Sequence, residues 1–225
     1  MPAGEDWAYL NIIGAVPGWT PPPPLALAIQ FGGFASVAML VAATFDLWAA
    51  LPAAIVAIGV ATAGSGLMGV VSGRIRRADP PPSYRRLLFG SSIDVVMGVV
   101  AVVAFLTYVI TTDPAGVVGT VLGPEAPAAV VVLALLVVWD LCYRIGTAWW
   151  ASIVGAWRSV ALDGEFDDFQ RRTLIEADLL VVAFAGIQVA LVPFVWGTLL
   201  AWLVLGHVLA VLVVSTVSIV WLYRD

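Results

Sequence analysis

Six runs of apolar residues, near 25–48, 51–72, 87–111, 127–150, 174–195 and 197–223, constrain this chain more than any other feature. A helix rises about 1.5 Å per residue, so about twenty residues cross the roughly 30 Å hydrocarbon core of a bilayer. The last two runs are separated only by Pro193 and Gly197, yet together they are far too long for one crossing, and a tight hairpin divides them. The predicted fold is therefore all-α: a polytopic bundle of six transmembrane helices in a lipid bilayer.

Composition agrees. Hydrophobic residues make up 62% of the 225 and charged residues 11%, against about 45–50% and about 25% in soluble domains. That excess of apolar surface excludes a soluble globular domain. Fifteen acids outnumber ten bases, and no dense basic patch of the kind that binds nucleic acid is present.

The positions of the arginines set the expected orientation. Arg74, Arg76, Arg77, Arg85 and Arg86 fall in the second connection, Arg158, Arg171 and Arg172 in the fourth, and Arg224 after the last span. The other connections carry none. The positive-inside rule then places both termini in the cytoplasm of a multi-pass cell-membrane protein. Trp48 and Trp196 mark the outer interface, and Trp157, Trp221 and Tyr223 the inner one.

Residues 1–24 differ in character. WAYLNIIGAV is too short to span and runs into Pro21 to Pro24, so it is expected to form a short interfacial helix that ends before the first span. The acids in the first ten residues do not suit a secretory signal, and the N-terminus is expected to be retained. The linker 74–86 is basic and broken by prolines, which suits anionic lipid headgroups. Gly69 and Gly73, at GxxxG spacing, are expected to allow close helix approach within the chain or across a homo-oligomer.

Ionisable side chains in mid-bilayer cost roughly 2.5–3.5 kcal/mol on insertion scales, so each requires a partner or a role. Asp94, Asp140, Arg144, Asp178 and His207 are the clear cases, whereas Asp46 and Glu176 lie near span ends and read as structural. Counting from span centres puts Asp94, Arg144 and Asp178 at one level, about 7–9 Å toward the arginine-rich side. Asp140 and Arg144 are spaced to pair on one helical face, which Thr147 extends. Three carboxylates facing one guanidinium would leave two charges unmatched in a low dielectric. Protons or a bound monovalent cation such as Na⁺ would match them, which points to a small cation/proton antiporter using Asp94, Asp140, Arg144 and Asp178, with His207 and Thr147 as candidate relay groups. Helix glue is the competing explanation for the Asp140–Arg144 pair, and with it a non-catalytic scaffold or accessory subunit.

No enzyme is expected. The sequence holds no Ser/His/Asp, Cys/His or HExxH arrangement, its one histidine excludes a bis-His haem within the chain, and lone Cys142 supports neither a disulfide nor a metal site. No cofactor is expected beyond a bound Na⁺ or proton.

YRRLLFGSSIDVVMG, followed by WDLCYRIGTAWWASIVGAWRSVALDGEF, resembles the RDD family of multi-pass membrane proteins over roughly residues 84–164. The resemblance rests on Ile93-Asp94 and on Gly155, Arg158, Val160, Asp163 and Gly164. It implies that Arg86 is the family's Arg, Asp94 its first Asp and Asp140 its second. Some members of that family behave as sodium/proton antiporters. The sequence departs from the family in its Arg-to-Asp spacing and in Thr147-Ala148-Trp149-Trp150, which replaces a Thr-Leu-Gly-Lys turn.

Overall fold

In a computed structural model, residues 21–111, 126–162 and 164–224 are described, and all their regular structure is helical. The helices are α1 (Pro23–Phe45), α2 (Leu51–Ala78), α3 (Pro82–Phe89), α4 (Ile93–Thr111), α5 (Ala128–Ala161), α6 (Asp168–Gln188) and α7 (Leu199–Tyr223). A 3₁₀ segment, Val189–Val195, extends α6. Among the described residues, six spans are long and apolar enough to cross a membrane, with α3 and α4 acting together as the third. The expected interfacial helix lies outside the described residues apart from 21–24, and there the boundary shifts: Pro23 and Pro24 open α1 instead of preceding it. A proline in the first turn forfeits no helical hydrogen bond, since its N–H would be unpaired there.

Other boundaries differ as well, α2 running on to Ala78 among them, and three of the differences have a clear physical reason. The fifth span starts at Asp168, six residues early, because Asp167 and Gln170 form a capping box: the Gln170 N–H donates to Oδ1 of Asp167 at 2.8 Å, and the Asp167 N–H to Oε1 of Gln170 at 3.1 Å. The Gln170 amide also reaches the last carbonyls of α2, at Ala78 and Asp79. The third span breaks at Gly90 to Ser92, where Ser92 takes a positive φ of 54°. At that break the Leu87 carbonyl accepts from the Ser91 hydroxyl (2.8 Å) and from the Trp150 indole N–H (3.2 Å), so its lost helical bond is replaced.

The largest change is in α5. The apolar run ends near residue 150, but the helix continues to Ala161, about 51 Å in all, well beyond the hydrocarbon thickness. Its added turns carry Ser152, Arg158 and Ser159, all buried. Helix α5 packs against α2, α3, α4, α6 and α7 and is the axis of the bundle.

The two ends of the bundle are built differently. At the arginine-rich end, Met68, Val71 and Ile75 of α2, Leu88 of α3, Val154 of α5 and Leu174 of α6 belong to one continuous core. Toward the turns at 46–50 and 196–198 two cavities open, one between α1, α2 and α5 and a larger one between α2, α4, α5 and α7. Helix α1 packs on α2, with the Ser65 hydroxyl donating to Oε1 of Gln30 at 3.2 Å, and otherwise presents Leu40, Met39 and Val37 outward.

Close approach between α4 and α5 is made at two further glycines. A Cβ on Gly146 would stand 2.8 Å from the Gly98 backbone nitrogen, so these two glycines let α4 and α5 cross nearly backbone to backbone. A Cβ on Gly73 would meet nothing within 4 Å. In the same stretch of α2 it is Gly64 that is needed, because the Phe184 ring and the Arg144 stem lie against it.

Candidate functional site

The four intramembrane charges expected to act as one set form separate groups. Asp140 and Arg144 make a two-point pair along α5, Nη2 to Oδ1 at 2.7 Å and Nε to Oδ2 at 3.1 Å. Spacing of four residues with the acid first is the favourable order on a helix. Arg144 is 1% exposed, and its stem runs beneath Gly64 of α2.

Asp178 is not part of that group. It lies against Gly155, where a Cβ would stand 3.0 Å from its Oδ1. Residues 144 and 155 are about 16 Å apart along α5, which removes Asp178 from the expected common level. Its partner is Arg158, whose Nη2 donates to Oδ2 at 2.6 Å. The sequence assigned Arg158 to a connection as a topology determinant; the structure makes it an interior residue, 0% exposed.

Around this pair a buried polar node joins four helices. Nη1 of Arg158 donates to the Tyr84 hydroxyl of α3 at 2.8 Å, and the guanidinium lies 5.3 Å from the centre of the same ring. The Ser218 hydroxyl of α7 donates to Oδ2 of Asp178 at 2.8 Å. Ser159 and Ser218 lie 2.8 Å apart, and the Ser159 hydroxyl also reaches the carbonyls of Gly155 and Ser218. Nε of Arg158 has no hydrogen-bond partner among the described residues. Low dielectric strengthens each of these bonds and makes an uncompensated charge correspondingly costly.

The charge count changes as a result. Two guanidiniums, not one, face the three carboxylates, and the unmatched carboxylate is Asp94. It is 3% exposed, sits in the first turn of α4 just after the break, and accepts from the Tyr143 hydroxyl at 2.9 Å. Among the described residues no guanidinium forms an ion pair with it. The exposed amides at the start of α4 place a partial positive charge beside it.

The remaining expected residues scatter. Thr147 donates to the Tyr143 carbonyl at 2.9 Å. His207 lies across the bundle on α7, its ring edge-on to Trp149 with centroids 5.9 Å apart. Arg86 is exposed in the last turn of α3, where its carbonyl accepts from Gly90. The expected basic linker is mostly helix: Arg74 and Arg77 lie in the last turns of α2 and Arg85 and Arg86 in α3, with only 79–81 between. Arg74 pairs with Glu176 and Arg85 with Asp79, the latter at 2.9 Å, while Arg77 and Arg86 stay exposed. Among the described residues no group of three or more His, Cys, Asp or Glu side chains is arranged to hold a metal ion.

Tyr84, Arg158, Ser159 and Ser218 were not identified as site residues from the sequence. The signal available was Arg158 itself, which stands eight residues beyond the apolar run in a stretch without proline, AWWASIVGAWRSVA, that nothing prevents from continuing the helix.

Six apolar helices with ionisable groups paired inside the bundle define an integral, polytopic α-helical membrane protein. Residues 2–218 match a family of unknown function (DUF7530), and the chain belongs to that family. No curated protein and no solved structure matches it.

Proposed function

We propose that the chain is a non-catalytic membrane scaffold or accessory subunit whose interior charges join helices to one another. The carrying observation is the Arg158 node, in which one fully buried guanidinium binds groups on α3 and α6 and lies against the α7 serine that shares its carboxylate. An exchanging carboxylate must release its partner in every cycle. Asp178 is instead held by a charge-assisted bond and a hydroxyl, an arrangement whose disruption leaves an uncompensated charge. Asp140 is held at two points by Arg144. The lining of neither large cavity includes Asp94, Asp140 or Asp178. Assembly with further copies through the lipid-facing side chains of α1, and anionic headgroups at exposed Arg77 and Arg86, belong to the same reading.

One observation favours a second reading. Asp94 is buried beside a neutral hydroxyl with no guanidinium paired to it, so it is the carboxylate best placed to trade a proton for a monovalent cation. That antiporter would use Asp94 with Asp140 and Arg144, in line with the resemblance to the RDD family, while Asp178 belongs to the Arg158 node.

Proteoliposomes loaded with a pH-sensitive dye separate the two. A scaffold gives proton flux under Na⁺ or K⁺ gradients no faster than protein-free vesicles. Cation-driven flux that disappears in Asp94→Asn, with the protein still folded, overturns the scaffold and establishes the antiporter.

A further inference from the structure

The third span is made of two halves that the bundle holds very differently. In α3, Tyr84, Leu88 and Phe89 are buried, Arg158 donates to the Tyr84 hydroxyl, and the Trp150 indole donates to the Leu87 carbonyl. Of residues 93–109 in α4, only Asp94 and Gly98 are buried. Among the described residues α4 packs closely on α5 and on no other helix. Helices in lipid associate largely through van der Waals packing, so the half with almost no buried side chain is the weakly held one.

The joint between the halves is suited to bending. Gly90 and Ser91 are adjacent there, and Gly/Ser pairs are recurrent sites of helix kinks. Ser92 takes a φ of 54°, uncommon outside glycine, and the helical ladder is interrupted at this point. The Ser91 hydroxyl spans the gap, donating to the Leu87 carbonyl at 2.8 Å and accepting from the Ile93 N–H at 3.5 Å. A rotatable hydroxyl follows a change of angle that a continuous backbone ladder resists. Beyond the joint little obstructs a swing. Gly98 meets Gly146 where neither residue has a side chain to lock the crossing, and farther along Ala101 and Ala104 line the open space that separates α4 from α7.

We propose that α4 is a hinged arm: it swings about residues 90–92 toward and away from α7 while α3 stays fixed on the Arg158 node, and the Tyr143–Asp94 hydrogen bond is its latch. The latch lies two residues past the hinge, with the Tyr143 hydroxyl donating to Oδ2 of Asp94 at 2.9 Å. A change of about 20° at a Gly/Ser kink carries Val103, eleven residues beyond Ser92, through about 5–6 Å. That motion sets the width of the opening between α4 and α7 and leaves the arginine-rich end unchanged. The proposal is independent of whether the interior charges join helices or exchange a cation.

Pulsed electron paramagnetic resonance on spin-labelled protein in lipid nanodiscs tests it, in a Cys142→Ala background so that only introduced thiols are labelled. One pair, Val103→Cys with Val213→Cys, reports α4 against α7, and both positions are exposed. The other, Ser83→Cys with Val213→Cys, reports the fixed half, from an exposed position on α3. The α4 pair is expected to give two distances about 5 Å apart, one of them the latched arrangement, and the α3 pair a single distance. Tyr143→Phe removes the latch and is expected to raise the ratio of swung to latched protein about fivefold. If Tyr143→Phe does not fold, Asp94→Asn, which leaves the Tyr143 hydroxyl a neutral and weaker acceptor, is expected to move the ratio the same way by less. A single α4–α7 distance, a second distance shared equally by the α3 pair, or a ratio that neither variant moves overturns the proposal.

Discussion

Replacing Arg158 by Met keeps a flexible apolar stem in the same space and removes the charge with its hydrogen bonds. Asp178 is then left with the Ser218 hydroxyl, and Tyr84 loses its donor. Removing one partner of a buried ion pair costs about 3–5 kcal/mol, and the stem that Met retains keeps the packing contribution small. A loss of about 4 kcal/mol is a large part of the roughly 5–15 kcal/mol that holds a typical domain together. Adding Asp178→Leu removes the stranded carboxylate, so the double variant is expected to recover about 2–4 kcal/mol of that loss. Arg144→Met is the internal comparison. Nε and Nη2 of Arg144 both donate to Asp140 on the same helix, and helices persist when a membrane bundle is dissociated in mixed micelles. An i,i+4 pair present in both states contributes only about 0.3–0.5 kcal/mol to the difference, so Arg144→Met is expected to cost under about 1 kcal/mol. Reversible unfolding in dodecyl sulfate and mild-detergent micelles, followed by circular dichroism and tryptophan fluorescence, gives all four values. If Arg144→Met proves as damaging as Arg158→Met, or the double variant is no more stable than Arg158→Met, the node does not join the helices as described.

Gly155→Ala would place a methyl group 3.0 Å from Oδ1 of Asp178; an overpacking cost of about 1–3 kcal/mol is expected in the same titration. Asp167→Ala removes the acceptor that caps α6, with an expected cost of about 1 kcal/mol and faster amide hydrogen exchange confined to the first turn of α6. Trp150→Phe keeps the aromatic surface but strips a donor from the Leu87 carbonyl at the α3–α4 break, which should lower stability by about 1 kcal/mol; unchanged stability would mean that the Ser91 hydroxyl satisfies that carbonyl by itself.

The spans were legible because lipid imposes length and apolarity locally, run by run, and neither depends on what a run packs against. The boundaries were less so, and α5 shows why. Hydropathy falls after residue 150 since Ser152, Arg158 and Ser159 are polar, yet those groups are satisfied by other helices, so the helix had no reason to stop there. The Asp140–Arg144 pair could be read directly, because both ends lie on one helix at a spacing that geometry fixes. The Arg158–Asp178 pair could not, because its residues lie on different helices and come together only where Gly155 lets α6 approach α5.

Run length and apolarity are enough to make this chain an all-helical membrane bundle, to mark the stretches that cross the bilayer and to name the residues that carry charge into it. Which charges neutralise one another depends on how the helices pack. Spans meet by small residues at particular levels, Gly98 with Gly146 and Gly155 with Asp178, and those levels depend on helix register, tilt and length. Four charges that sequence depth put in one set thereby became a pair along α5, a four-helix node completed by Arg158, and a lone carboxylate at Asp94.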